Sequence, residues 1–228
     1  LQQALALSDR PIEALTALAA NLHLQGKHRD AETALTRART MMPSHADSYT
    51  VAANYAMPRW GGSVEDVTSI IEDARKAGAH ADDLSYMQDH NVARPWLTAT
   101  PGAERAYWEG AIAAHPTYDR LKRLLLHLAN LKIWRDARDV TDRLIGTYPE
   151  IAEPHYWRGR ANEALGNIAA AFADYRIAAT MGHDTSIEHL IRAHLNGTLG
   201  LPAKDLQALA ELCRFGAALG SGSAANFF

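Results

Sequence analysis

The chain has 228 residues, of which 47% are hydrophobic, with 23 basic and 26 acidic side chains and a formal net charge of −3. That much apolar material excludes a disordered chain, and a lone cysteine, Cys213, excludes a disulfide framework or a paired-cysteine zinc site. The slightly acidic balance argues against nucleic acid as the main partner, and no apolar run of about 18 residues is present to span a membrane.

In chain order, the segment Ile12–His45 carries small and apolar residues at helical spacing: Leu15, Leu18, Ala19 and Leu22, then Ala31, Leu35 and Ala38. Gly26 separates the two sets and Pro43 closes the second, so the segment predicts an antiparallel helical hairpin. Ala46–His80 repeats the pattern with Tyr49, Ala52, Ala53 and Ala56 in a first helix. The loop Pro58-Arg59-Trp60-Gly61-Gly62-Ser63 follows, then a second helix over Val64–Ala77. In Asp82–Thr117 the first helix is obscured by Arg94-Pro95-Trp96. The second is expected over Pro101–Ala114, with Thr100 as cap, Pro101 at the first helical position and Glu104 in the first turn.

Tyr118–Ile151 and Ala152–Thr185 bring the pattern back in phase. Ala31, Ala137 and Ala171 coincide, as do Leu35, Thr141 and Tyr175, Gly26 and Gly166, and Pro43 and Pro149. The step from Ala137 to Ala171 is 34 residues without a gap. Thr185 and Glu188 predict a capping box opening the next helix, Asn196–Ala203 a longer turn, and Lys204–Leu219 a last helix. Residues 221–228 are read as a tail or the start of a further helix. No strand is predicted, and the fold class expected is an all-α solenoid of about six antiparallel hairpins forming a superhelix. One repeat domain covers 1–220, with repeats at 12–45, 46–80, 82–117, 118–151, 152–185 and 186–220.

Leu18-Ala19, Leu22, Ala31, Leu35, Ala38 and Pro43 resemble the tetratricopeptide-repeat signature, and Gly159, Ala171, Tyr175 and Ala178 match it again. The final unit is similar to the longer SEL-like cousins of that repeat. Pro58-Arg59-Trp60-Gly61-Gly62-Ser63 and the helix after it resemble an uncharacterised bacterial domain family found fused to such repeats, over Tyr49–Ala77. That likeness implies a relative and no activity. Each residue of the loop also has a structural role open to it. Pro58 ends a helix, Gly61-Gly62 turn the chain, and Ser63 with Asp66 caps the next helix. Trp60 folds back on the hairpin, and Arg59 answers carbonyls at a helix C-terminus.

Motifs that carry chemistry are not found in the sequence. It has no HExxH and no GxSxG, and His189 and His194, five residues apart, fall on different faces of one helix. His80 with Asp82 and Asp83 reads as a helix cap, Cys213 as a core thiol, and Gly61-Gly62 lacks the lysine of a phosphate loop. Neither an enzyme nor a metal or cofactor is expected. What the family resemblance implies instead is protein or peptide binding on a concave groove lined by the first helix of each hairpin. Its groove positions fall on Thr50 and Asn54, on Lys122, Arg123, Leu126 and Asn130, and on Tyr156, Trp157, Arg160 and Glu163, with His194 from the last hairpin. Tyr156, Trp157 and Arg160 make the best patch, because aromatic residues and arginine dominate binding hot spots. Arg59 and Trp60 are the loop candidates. The positions of a known carboxylate clamp fall on Thr16 and Ala20, so that clamp is absent from the first repeats.

Charge is uneven. Gly61–Thr117 holds four cations and nine carboxylates, whereas Tyr118–Ile151 holds seven cations and five carboxylates. Three other functions stand as alternatives to a binding module. The first is an immunity protein that neutralises a secreted bacterial toxin, the second an RNA-binding array, against which the acidic balance speaks. The third is a ligand-binding or catalytic domain at Asp82–Pro101. The chain opens at Leu1 with neither methionine nor signal-peptide pattern, which reads as a trimmed or processed start. A soluble protein is expected, with cytoplasmic and periplasmic locations both open.

Overall fold

A computed structural model describes residues 11–94, 97, 100, 102–200, 206–218 and 220, and every regular element among them is helical. The helices are α1 (Pro11–Leu24), α2 (His28–Met41), α3 (Ala46–Tyr55), α4 (Val64–Lys76), α5 (Ala81–Met87), α6 (Glu104–Ala114), α7 (Tyr118–Asn130), α8 (Trp134–Thr147), α9 (Ala152–Ala164), α10 (Ile168–Thr180), α11 (Asp184–Asn196) and α12 (Leu206–Ala218). A 3₁₀ turn, Pro58–Trp60, precedes α4, and a π-helical turn, Gln88–Ala93, continues α5. The fold is of the all-α solenoid class, built of tetratricopeptide-like hairpins. The chain divides into two compact units, Leu1–Ala103 and Glu104–Phe228.

In the first unit α1 and α2 form the hairpin the glycine turn predicts: Gly26 adopts φ +74° and the helices stop on either side of it. Leu15, Ala19, Ala31, Leu35 and Ala38 form its core, with Leu18 and Leu22 packed at the edge. Alanine at three of these positions lets the two backbones approach, and leucine fills what remains. Tyr49, Ala53, Met57, Val67, Ile71, Ala74 and Met87 make a second core under α3, α4 and α5. Between α3 and α4 the loop is built as its residues suggest. Ser63 Oγ accepts the Asp66 N–H at 3.0 Å while the Ser63 N–H donates to Asp66 Oδ2 at 2.9 Å, a reciprocal capping box. At Gly62 any Cβ would lie 2.0 Å from the Ala56 carbonyl oxygen, so glycine is obligatory there. The ring of Trp60 lies back on Tyr55, with centroids 5.4 Å apart.

Three local expectations are corrected. Arg59 does not meet helix-end carbonyls; its guanidinium donates to the side chain of Asn54 at 2.7 Å. α6 begins at Glu104, three residues after the predicted start at Pro101; Pro101 itself and Pro95-Trp96 of the break signal lie outside the described residues. The cap of α11 is His183, whose Nδ1 accepts the Ser186 N–H at 3.2 Å, and Glu188 instead takes Arg192 on its own helix. Residues 201–205 and 221–228, where the long turn and the tail were expected, also lie outside the described residues. The unit boundary falls within 82–117: α5 packs with α3 and α4, and α6 packs with α7.

In the second unit the hairpins α7–α8, α9–α10 and α11–α12 follow one another. Ala31, Ala137 and Ala171 are all fully buried, as are their partners Leu35, Thr141 and Tyr175. Lys132 stands where Gly26 and Gly166 stand in the other turns and takes the same left-handed conformation, φ +59°. The helices are also held by polar groups. Buried Arg120 donates to the carbonyls of Ala111 and His115 at 3.0 and 2.9 Å, closing the C-terminus of α6. Arg158 forks onto nearly buried Asp174 through Nε at 3.0 Å and Nη2 at 2.6 Å, and reaches Asp142 at 2.9 Å, which ties α9 to both α8 and α10.

Candidate functional site: the first-helix face of the second unit

Three successive first helices, α7, α9 and α11, bring together most of the residues to which the family resemblance points. At the centre of the α7–α9 contact is Glu153. Its Oε2 accepts the Tyr118 hydroxyl at 3.0 Å and the Lys122 ammonium at 2.7 Å, and its Oε1 lies 3.4 Å from the Trp157 indole Nε1, the donor. Burial works against the charged carboxylate, but the hydrogen bonds from Lys122 and Tyr118 outweigh it and hold its pKa below the ordinary value. Burial and the neighbouring Glu153 push the Tyr118 hydroxyl far up, so it remains a donor.

One turn along α9, Arg160 donates to the Tyr156 hydroxyl at 3.0 Å, and its guanidinium carbon lies 5.9 Å from the centre of the same ring. Tyr156 also stacks on His183 of the α11 cap, centroids 4.8 Å apart and planes 30° apart. Glu163 accepts the hydroxyl of fully buried Tyr175 at 2.6 Å and lies 3.2 Å from His189 Nε2. The Tyr175 ring lies across Gly159: a Cβ there would come 2.8 Å from Tyr175 Cε1. Tyr175 thus reaches through from α10 and stiffens the face from behind.

Arg123 is held on its own helix by Asp119 at 2.7 Å, with its guanidinium carbon 5.6 Å from the Trp108 ring centre; Leu126 is half-buried and Asn130 is exposed at the end of α7. Thr50 and Asn54 belong to the first unit. The Thr50 hydroxyl donates to the Ala46 carbonyl at 3.1 Å and borders an open hollow of about 300 Å³ with Thr16 and Ala20, and Asn54 receives Arg59. His194 is buried, on the wall of a separate hollow with Phe172 and Leu190. Sequence reasoning missed Tyr118, Glu153, His183 and His189. The signal was present for the first two: at one repeat's spacing, the start of one first helix lies beside the start of the next.

The arrangement is a surface whose polar side chains are already paired with one another. Lys122, Arg123 and Arg160 each already have a partner, so the face presents aromatic rings with hydrogen-bonding ends more than net charge. Among the described residues no group of three or more His, Cys, Asp or Glu side chains is placed to hold a metal ion, and no helix is long and apolar enough to cross a membrane.

No protein-family model matches the chain, and no curated protein matches it. Solved structures do. The pilF protein of Pseudomonas aeruginosa is similar over 96% of this chain and 97% of its own, at 15% identity and a TM-score of 0.51. PilW, described as a type IV pilus biogenesis factor, is 14% identical over 96% of this chain and 99% of its own, with a TM-score of 0.49. YrrB, described as a tetratricopeptide-repeat protein with an unusual peptide-binding site, is 18% identical over 79% of this chain and 91% of its own, with a TM-score of 0.41. At such identities the likeness is one of fold.

Proposed function

We propose that this chain is a non-enzymatic interaction module that binds a protein or peptide partner on its first-helix face, with Tyr156, Trp157 and Arg160 at the centre of the contact. The observation that carries this reading is the continuous run of half-buried aromatic and hydrogen-bonding side chains over α7, α9 and α11, held in place by Glu153 and Tyr175. Rings held in one rotamer lose little entropy on binding, which is why such groups serve as anchors. Lys122, Arg123, Asn130 and Glu163 extend the surface. In the first unit Asn54, with Arg59 and Trp60 of the loop, contributes a second contact.

The test is an affinity capture from lysate of the source organism, read by mass spectrometry, with Arg160→Glu as matched bait. The charge reversal removes the bond to Tyr156 and places a carboxylate one turn from Glu163, while the half-buried position tolerates it. A dominant partner captured by the wild type and lost by the variant, with unchanged circular dichroism, is the expected result. The same proteins on both baits would remove this face from the contact.

A further inference from the structure

In the first unit, the first helices α1 and α3 leave an open hollow of about 300 Å³ between them. Two carboxylates, Glu13 and Asp47, line it, and none of its lining residues is basic. Both are exposed, and among the described residues neither is paired with a cation. The hydroxyls of Thr16 and Thr50 border the same hollow, and each gives its hydrogen to a carbonyl of its own helix, Ile12 at 2.9 Å and Ala46 at 3.1 Å. They can therefore offer a ligand only acceptor lone pairs. Acceptors on both helices and no donor side chain suit a cation that carries several N–H groups.

The second unit shows what the same positions hold when the chain supplies the cations itself. α1 and α7 end in the same turn: the Lys27 N–H bonds to the Leu22 carbonyl in one and the Ile133 N–H to the Leu128 carbonyl in the other, each at 2.9 Å. α3 and α9 follow the same turn, His45 N–H to the Met42 carbonyl and Ile151 N–H to the Tyr148 carbonyl. Asp47 and Glu153 are thus each the second residue of their helix. By this register Glu13 corresponds to Asp119, Thr16 to Lys122, Ala17 to Arg123, and Val51 to Trp157. In the second unit Lys122 donates to Glu153 and Arg123 to Asp119, both at 2.7 Å. The first unit keeps both carboxylates, has small residues in place of both cations, and has the hollow between them.

We infer that this hollow takes an arginine side chain of a bound polypeptide, which supplies the charge that Lys122 and Arg123 supply within the second unit. A guanidinium presents five donors in a fixed fork and meets carboxylate and hydroxyl oxygens together, while its aliphatic stem lies along Ala17 and Val51. The inference rests on the reading of the first-helix faces as polypeptide-binding surfaces and names the chemistry of one contact.

The experiment is a titration of the whole protein followed through the methyl shifts of Thr16, Ala17 and Val51. The probes are a capped tripeptide with arginine between two glycines, the same tripeptide with citrulline, and calcium ion. The arginine peptide is expected to saturate these signals, and citrulline, similar in shape but uncharged, to bind about tenfold more weakly. Glu13→Gln with Asp47→Asn is expected to weaken the arginine peptide about tenfold; both positions are exposed, and circular dichroism checks the fold. Ala17→Arg, also at an exposed position, gives the first unit the cation that Arg123 supplies in the second and is expected to weaken binding about fivefold. Unchanged affinity in either variant, or equal affinity for arginine and citrulline, would overturn the role of the carboxylates. Absence of saturation by the arginine peptide would overturn the site, and tighter binding of calcium would make it a metal site instead. A flat titration beside a capture that still loses its partner on Arg160→Glu would remove this hollow alone and leave the partner-binding face standing.

Discussion

Gly159 shows how much a single hydrogen atom can decide. The Tyr175 ring occupies the space a side chain would need, and it cannot retreat: it is fully buried and its hydroxyl is held by Glu163. Alanine at this helical position would gain about 1 kcal/mol in helix propensity, yet forcing a Cβ against a fixed ring costs about 1–3 kcal/mol. Gly159→Ala is therefore expected to lower stability by up to about 2 kcal/mol in urea unfolding. A raised midpoint would show that the ring yields and propensity wins. Gly62 belongs to the same class, with a backbone carbonyl as the obstacle, whereas the turn glycines at positive φ matter for conformation and not for space. Lys132 makes that distinction visible, since a non-glycine residue carries the same left-handed turn.

At the scale of the helix, α11 begins with a cap that depends on protonation. Only a neutral His183 ring can accept the Ser186 N–H through Nδ1. Burial disfavours the imidazolium and holds the pKa of His183 below its ordinary value of 6.5. A folded-state pKa below the unfolded one means that the unfolded chain binds the proton more readily. The associated stability is thus complete above pH about 6.5 and is lost as the pH falls through the folded-state value. His155, depressed by burial and by Arg158, acts with the same sign. The urea midpoint is expected to be flat above neutrality and to decline on acidification. His183→Asn keeps an acceptor at the cap and should make that decline shallower. An unchanged slope in the variant would place the titrating group elsewhere. Capping at α4 is different in kind, because the Ser63–Asp66 box was readable from the spacing alone, whereas a histidine cap lies outside the usual set of capping residues.

Across the whole chain, repeat stability is a sum of local hairpins and their neighbours, so damage stays local. Ala171 is fully buried in the core shared by α10, α11 and α12, and Ala171→Trp overpacks it by about 1–3 kcal/mol or more. Hydrogen exchange is expected to lose protection in residues of the second unit and to keep it in 11–94. Loss of protection throughout would mean that the two units unfold as one. The helix content and the all-α class were legible in the sequence, because small residues, glycine turns and terminating prolines recur where two helices must approach and then part. Tyr156, Trp157 and Arg160 are neighbours on α9, with Arg160 bonded to the Tyr156 hydroxyl and the Trp157 ring 5.5 Å from that of Tyr156. What tertiary structure alone decided is how those side chains are paired. Glu153 gathers donors from two helices, Tyr175 crosses from a second helix to press on Gly159, and His194 is buried instead of standing on a shared face. Periodicity specifies direction from one backbone, but a hydrogen bond or a void requires the positions of two or three backbones at once, and that information exists only after the hairpins have packed.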